Sequence, residues 1–283
     1  MRPSLIATDL DGTFLVSHHE AHPRNVESVL RASSEGVPIV IATGRPARWL
    51  DALEPIRSAR PHVVTSNGAV ILDFASGEVE HFWALDDDVM LAVANDLRIA
   101  VPGVAFALER PLGWACEPTF ERPGIAADIE VEVASMEALV GTPTVKLLVT
   151  HPDLGTIDLA ELVAPIVGDR LTVTWSYISP AGLLEVSAPG ISKASALAKI
   201  ASDLGVDLSR AIAFGDAPND VEMLRCVGGG HVMANAHPSL FDLGFPVIGS
   251  NLEGAVGHTI HGLLDAARSP GGRGTRAPRE RVG

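Results

Sequence analysis

The sequence predicts an α/β protein built on a doubly wound parallel sheet, with a separate α+β module inserted into it. Three observations carry this. Short apolar runs, each ending in a polar cluster, alternate with segments of helical periodicity, as parallel strands joined by crossover helices do. The alternation stops after about residue 80 and gives way to closely spaced strand patterns. It then resumes near residue 185.

Taken in order, Ser4–Thr8 is an apolar run ending at Asp9 and reads as a buried strand. Residues 22–35 place Val26, Val29 and Leu30 at helical spacing, with Gly36 where a C-cap falls. Residues 37–42 are a second buried strand, ending at Thr43-Gly44-Arg45, and Pro46 suits the first turn of a following helix. Residues 62–65 give a third strand, ending at Ser66-Asn67-Gly68. In the insert, strands are expected at 104–109, 113–117, 128–134, 144–150, 171–177 and 183–187, and helices at 86–99, 135–141 and 155–167. Residues 191–204 then form a helix closed by Gly205, 211–214 a strand ending at Gly215-Asp216, and 218–225 a helix opened by Pro218. The expected core is 1–81 with 185–267, the insert 82–184, and the Arg-, Gly- and Pro-rich residues 268–283 a disordered tail.

Bulk properties narrow the function. The chain has 283 residues, 47% hydrophobic and 20% charged, ordinary for a soluble enzyme. A net charge of -14 argues against a nucleic-acid or anionic-membrane surface. No apolar run approaches the roughly 20 residues that span a bilayer, and the first ten residues lack a signal-peptide pattern, so a cytoplasmic location is expected. Cys116 and Cys226 have no zinc-type spacing and read as reduced thiols, a disulfide being the alternative.

Ligands of open parallel sheets bind outside the carboxyl ends of the strands. Four polar clusters fall there: Asp9 to Thr13, Thr43 to Arg45, Ser66 to Gly68, and Gly215-Asp216 through Asn219-Asp220. Lys193, near a helix start, can join them. Carboxylates meeting in one pocket repel, so a divalent cation is expected, and oxygen-only ligands favour magnesium over zinc. Thr43 offers a hydroxyl, Gly44 a backbone N–H and Lys193 a positive charge to a phosphate held by that ion. Asp9 and Asp11 can reach one substrate only if the chain turns after the strand, and Gly12 permits the turn.

These clusters, in this order, resemble the four signature motifs of the haloacid dehalogenase-like hydrolases, and the long insert resembles the cap of the Cof-type subfamily. Ser66-Asn67-Gly68-Ala69, Ile191-Ser192-Lys193 and Val232-Met233-Ala234-Asn235-Ala236 extend the likeness over about residues 4–265. The resemblance implies a Rossmann-like core and a magnesium-dependent phosphatase acting through an aspartyl-phosphate. Asp9 would be nucleophile and metal ligand. Asp11 would be general acid and base, with its carbonyl on the metal, and Asp216 the third ligand. Thr43, Gly44, Asn67 and Asn219 would bind phosphate or substrate. Lys193 would neutralise charge, and Asp220 would orient Lys193 or a metal-bound water. Small phosphate esters, sugar phosphates or phosphorylated cofactor precursors, are the implied substrates. A phosphomutase or phosphotransferase using the same intermediate, or a phosphate-ligand-binding module with little turnover, are the alternatives. Oligomeric state is not set by the sequence.

Other residues have plainer expectations. Arg45 is expected in a structural or rim role, His18, His19 and His22 in a solvated loop, and Asp86 to Asp88 at a helix N-terminus. Lys146 is expected to hold its amine in solvent. Trp114 and Trp175 are expected in the core or hinge, with one facing the substrate as the minor alternative.

Overall fold

The structure, a computed structural model, describes residues 2–121, 131–175 and 178–268. The first stretch runs β1 (Ile6–Asp9), β2 (Leu15–Ser17), β3 (Glu20–Ala21), α1 (Pro23–Ser34), β4 (Ile39–Ala42), β5 (His62–Thr65), β6 (Val70–Asp73) and β7 (Glu78–Phe82). The insert runs α2 (Asp87–Ala100), β8 (Ala105–Glu109), β9 (Trp114–Cys116), β10 (Glu132–Val133), α3 (Met136–Leu139), β11 (Lys146–Thr150), α4 (Thr156–Val167), β12 (Thr172–Thr174) and β13 (Leu183–Ser187). The chain then returns through α5 (Lys193–Leu204), β14 (Ile212–Gly215), α6 (Val221–Cys226), β15 (Gly229–Val232) and α7 (Ala255–Arg268).

Seven strands form the core sheet in the order β15-β14-β1-β4-β5-β6-β7. The strands from β15 to β5 pair in parallel. β6 and β7 instead pair antiparallel, a departure from the expected parallel sheet. The reason is the connection: residues 66–69 between β5 and β6 are too few for a crossover. β1, β4 and β14 are buried along their whole length, as central strands under two helix layers should be. α1 packs with α7, and α5 with α6. The chain leaves β1 toward β4 on one side and comes back to β14 on the other, so a crevice opens at the carboxyl end of β1.

Some local expectations shift. After Pro46 there is no regular helix but short 3₁₀ turns at 47–49 and 51–59, the second with Pro55 inside it, which removes a donor. β13 crosses the edge expected at 184–185, because its pairing with β11 keeps Leu183 to Val186 in the second sheet. α7 continues through Arg268, one residue into the expected tail; the rest of the tail lies outside the described residues, as do 128–130 and 176–177 of two expected strands. Cys116 and Cys226 are not joined in a disulfide. Among the described residues, no helix is long and apolar enough to cross a membrane.

The second sheet has the order β10-β9-β8-β11-β13-β12. One face carries Phe106, Leu108, Leu147, Val149, Leu184 and Val186 into a core shared with α2 and α4. Strand alternation sends Trp114, Glu109, Lys146 and Glu185 to the other face.

In the core sheet, His231 on β15 stacks on Phe214 with ring centroids 5.2 Å apart. Burial holds its imidazole below the ordinary histidine pKa, against hydrogen bonds to backbone carbonyls that act the other way. The unfolded chain therefore takes up the proton first. Stability is expected to be full above about pH 6.5 and to fall as pH drops through the folded pKa. Urea unfolding of the parent chain and His231→Gln between pH 5 and 8 should show a shallower pH slope in the variant.

Candidate active site

Each polar cluster picked out in the sequence sits at the carboxyl end of a core strand: after β1, β4, β5 and β14. The loop after β1 sets the geometry. Asp9 and Asp11 are both extended, and Gly12 reverses the chain at φ 78. A Cβ on Gly12 would stand 2.4 Å from Asp216 Oδ2, so the position excludes any side chain twice over, by backbone conformation and by space. The Gly12 carbonyl accepts from Asn235 Nδ2 (2.8 Å), whose Oδ1 accepts from the Asn251 N–H (3.0 Å). Gly12→Ala is expected to push Asp216 out of place and reduce any activity of the site at least tenfold. Full activity with an unchanged melting temperature would contradict this.

Carboxylate oxygens of Asp9, Asp216 and Asp220 lie within 4.8 Å of one another. Lys193 Nζ donates to Asp9 Oδ1 (2.5 Å) and Asp220 Oδ1 (2.7 Å). It starts α5, whose N-terminus is fixed by a reciprocal Ser192–Ser195 capping box. The other Asp220 oxygen accepts from the N–H groups of Asp216 (3.1 Å) and Ala217 (3.0 Å), so Asp220 is fully engaged. Thr13 Oγ1 donates to Asp216 Oδ1 (2.7 Å). Asp9 Oδ2, by contrast, is buried and has no hydrogen-bond donor among the described residues.

The electrostatics agree. Burial raises Asp9 well above the ordinary carboxylate range; Lys193 pulls it down, and Asp220 and Asp216 push it further up. Burial also raises Asp216, to about 6, against the hydrogen bond from Thr13. Burial disfavours the Lys193 ammonium, but Asp220 and Asp9 outweigh it and hold its pKa above the ordinary value. Three carboxylates face one ammonium, so the cluster is short of positive charge. Its all-oxygen donor set fits a hard divalent cation, and Asp9 and Asp216 are the carboxylates with capacity to hold one.

The neighbouring loops are stitched together. Thr43 Oγ1 accepts from the Arg45 N–H (3.1 Å), the Ser66 N–H donates to the Arg45 carbonyl (2.9 Å), and the Asn67 N–H to the Thr43 carbonyl (3.0 Å). Ser66 and Asn67 adopt left-handed φ values of 52 and 58, and Gly68 one of 113. A Cβ on Gly68 would meet the Ser192 carbonyl at 2.2 Å, so this glycine lets the start of α5 come close. The Ala69 carbonyl accepts from the Trp83 N–H (3.0 Å). Asn219 Nδ2 donates to Asn67 Oδ1 (3.0 Å), and Asn67 Nδ2 to Glu185 Oε2 (2.9 Å). Gly44 is half-buried in this corner.

Asp11 is not part of the carboxylate cluster. Its oxygens accept from Arg45 Nε (2.8 Å) and Nη2 (2.5 Å). The same guanidinium reaches the carbonyls of His18 (2.8 Å) and Trp49 (3.1 Å). Arg45 thus takes the structural side of the structural or rim role expected of it, fastening Asp11 to the surrounding loop. His18 is exposed, with Nδ1 3.5 Å from Asp11 Oδ1, and His22 caps α1 by accepting from the Arg24 N–H (3.1 Å). Asp86 caps α2, as its cluster predicts. Lys146 corrects its expectation: its amine is buried on Glu185 (2.6 Å), because the insert's second face lies against the core. A wide groove of about 690 Å³ beside Pro23, Val26, Leu30 and Pro55 contains none of the cluster. Sequence reasoning missed Asn235 as a support of Gly12, though its motif was noted, and missed Glu185 altogether.

A family model described as haloacid dehalogenase-like hydrolase matches residues 6–260. An HMP-PP phosphatase from Enterobacter sp. (strain 638) is 29% identical over 273 residues, covering 94% of this chain and 97% of that protein. The HMP-PP phosphatase of Escherichia coli O8 (strain IAI1) is 28% identical over 276 residues, with 94% and 97% covered. Among solved structures, a phosphatase of the same superfamily from Bacteroides thetaiotaomicron superposes with a TM-score of 0.77 at 22% identity, covering 93% of this chain and 96% of that one. A sugar phosphatase of subclass IIB superposes with a TM-score of 0.75 at 22% identity, covering 92% and 99%. With the match running from the first core strand into the last helix, the chain belongs to the haloacid dehalogenase-like hydrolases.

Proposed function

We propose that this chain is a magnesium-dependent phosphatase that hydrolyses small phosphate monoesters in the cytoplasm through an aspartyl-phosphate on Asp9. The observation that carries the reading is the buried Asp9 Oδ2, without a donor among the described residues, in a cluster where Asp9, Asp216 and Asp220 meet Lys193. A magnesium ion held by Asp9, Asp216 and the Asp11 carbonyl would supply the missing positive charge and draw charge from the phosphate oxygens.

The chain's own residues do the rest. Thr43, Gly44, Asn67 and Asn219 hold the phosphate, and Lys193 balances its charge. A carboxylate oxygen of Asp9 attacks phosphorus, and the bond to the alcohol oxygen breaks. Asp11 gives that oxygen a proton, then takes one from the water that cleaves the acyl phosphate and frees Asp9. Arg45 holds both Asp11 oxygens, so Asp11 reaches the alcohol oxygen only when that contact opens. Asp220 is a positioning residue, holding Lys193 against Asp9. The names of the relatives, HMP-PP phosphatase and sugar phosphatase, support phosphate esters of small molecules as substrates.

The test is phosphate release from a panel of such esters with magnesium, repeated with EDTA. Release that disappears with EDTA and returns on adding excess magnesium is the expected result. Undiminished release in EDTA would remove the metal from the mechanism. Isomerised sugar phosphate without free phosphate would make the protein a mutase, and binding without either product would make it a ligand-binding module.

A further inference from the structure

The face that the second sheet turns toward the core is charged and buried at once. Glu109 stands opposite Trp114 on one side and Lys146 on the other, and Glu185 follows across β11. Glu109, Lys146, Glu185 and Trp114 are 4%, 4%, 7% and 5% exposed. Buried charges persist when paired, and here the pairs are complete. Lys146 binds Glu185, and Arg48 of the core binds Glu109 through both terminal nitrogens. Each pair also ties the insert to one side of the candidate site. Arg48 follows Arg45, the partner of Asp11, and Glu185 accepts from Asn67, the partner of Asn219. The row therefore runs from the loop that holds Asp11 to the loop that holds Asn219, across the side of the candidate site that the second sheet covers.

Two polar atoms of this row lack partners among the described residues. Arg48 Nε and Trp114 Nε1 are buried donors with no acceptor. They are neighbours: the Arg48 guanidinium lies 5.6 Å from the Trp114 ring centroid and 5.0 Å from that of Trp49. Native structures rarely leave adjacent buried donors unsatisfied. Resting on the phosphatase reading, we propose that Arg48 and Trp114 are specificity residues whose free N–H groups recognise an acceptor oxygen, hydroxyl or carbonyl, on the leaving group. With Arg48 balanced by Glu109 and Lys146 by Glu185, the row has no net charge. It selects phosphate monoesters of uncharged, oxygen-bearing alcohols over esters carrying a second phosphate or a carboxylate.

Trp114→Phe keeps the ring and removes only the indole donor; Arg48→Lys keeps the charge facing Glu109 and removes Nε. The probes are glucose 6-phosphate, fructose 1,6-bisphosphate and phenyl phosphate, the last offering no acceptor on its leaving group. In the parent protein, kcat/KM should favour glucose 6-phosphate over both others. In each variant, the ratio of kcat/KM for glucose 6-phosphate to that for phenyl phosphate should fall about tenfold, the loss lying mainly in KM. Equal changes for both esters, or none, in the folded variants would overturn the assignment, as would a parent protein that prefers fructose 1,6-bisphosphate. If Trp114→Phe fails to fold, Arg48→Lys and the parent preference still decide. A parent protein that releases phosphate from none of the probes or panel esters would instead refute the phosphatase reading itself.

Discussion

An Asp9→Asn variant is expected to lose phosphate release by on the order of 10⁴-fold or more while keeping its fold. The amide cannot attack phosphorus and is a poor ligand for a hard cation. It can still accept from Lys193 through its carbonyl oxygen, so the contact at the start of α5 survives. Burial already penalises the Asp9 charge, and Asp220 and Asp216 add to the penalty. Without metal, the neutral side chain should therefore melt no lower than the parent, and the rise in melting temperature that magnesium gives the parent should shrink or vanish. Calorimetry with and without magnesium, beside a phosphate-release assay, checks both halves. A variant that hydrolyses esters at even a tenth of the parent rate would refute the nucleophile assignment.

Lys193→Met is expected to be as damaging to activity and far more damaging to stability. Lys193 is 1% exposed and, among the described residues, is the ammonium that bonds both Asp9 and Asp220. Removing one partner of a buried pair leaves the other charge uncompensated, at about 3–5 kcal/mol. For a chain of this size that lowers the melting temperature by roughly 10 °C. The pH dependence has a definite sign. Asp9, already raised by burial, loses the neighbour that pulled it down, so its folded pKa climbs further above the unfolded value. The protonated form is then the one that folding favours. The deficit relative to the parent should be smallest near pH 5 and should grow toward pH 7.5. A pH-independent deficit would mean that Lys193 acts through packing alone.

The sequence carried the site's address better than its contacts. Asp9, Thr43, Asn67 and Asp216 were legible because apolar strands end in polar residues, and parallel pairing brings those ends together. The Asp9–Lys193–Asp220 geometry follows from the same placement. Arg45 was less legible, since its reach to Asp11 depends on a loop whose residues 43–49 form no regular helix. The antiparallel β6 and β7 were hidden because apolar alternation does not reveal strand direction; only the short link at residues 66–69 does. Lys146 was misread, and Glu185 missed, because a charged residue in a strand is usually exposed, and nothing local says that a second layer covers it.

The two passages of the chain between the sheets converge on adjacent residues. Trp83, outbound, is fastened to Ala69, and Ser192, on the way back, presses against Gly68. The whole segment from 84 to 191 is thus a loop whose ends are anchored side by side on the core. Closing such a loop costs the core little, because the penalty grows only slowly with length. A different module of any size could occupy the same doorway, and reactivity and substrate preference could change hands independently over generations.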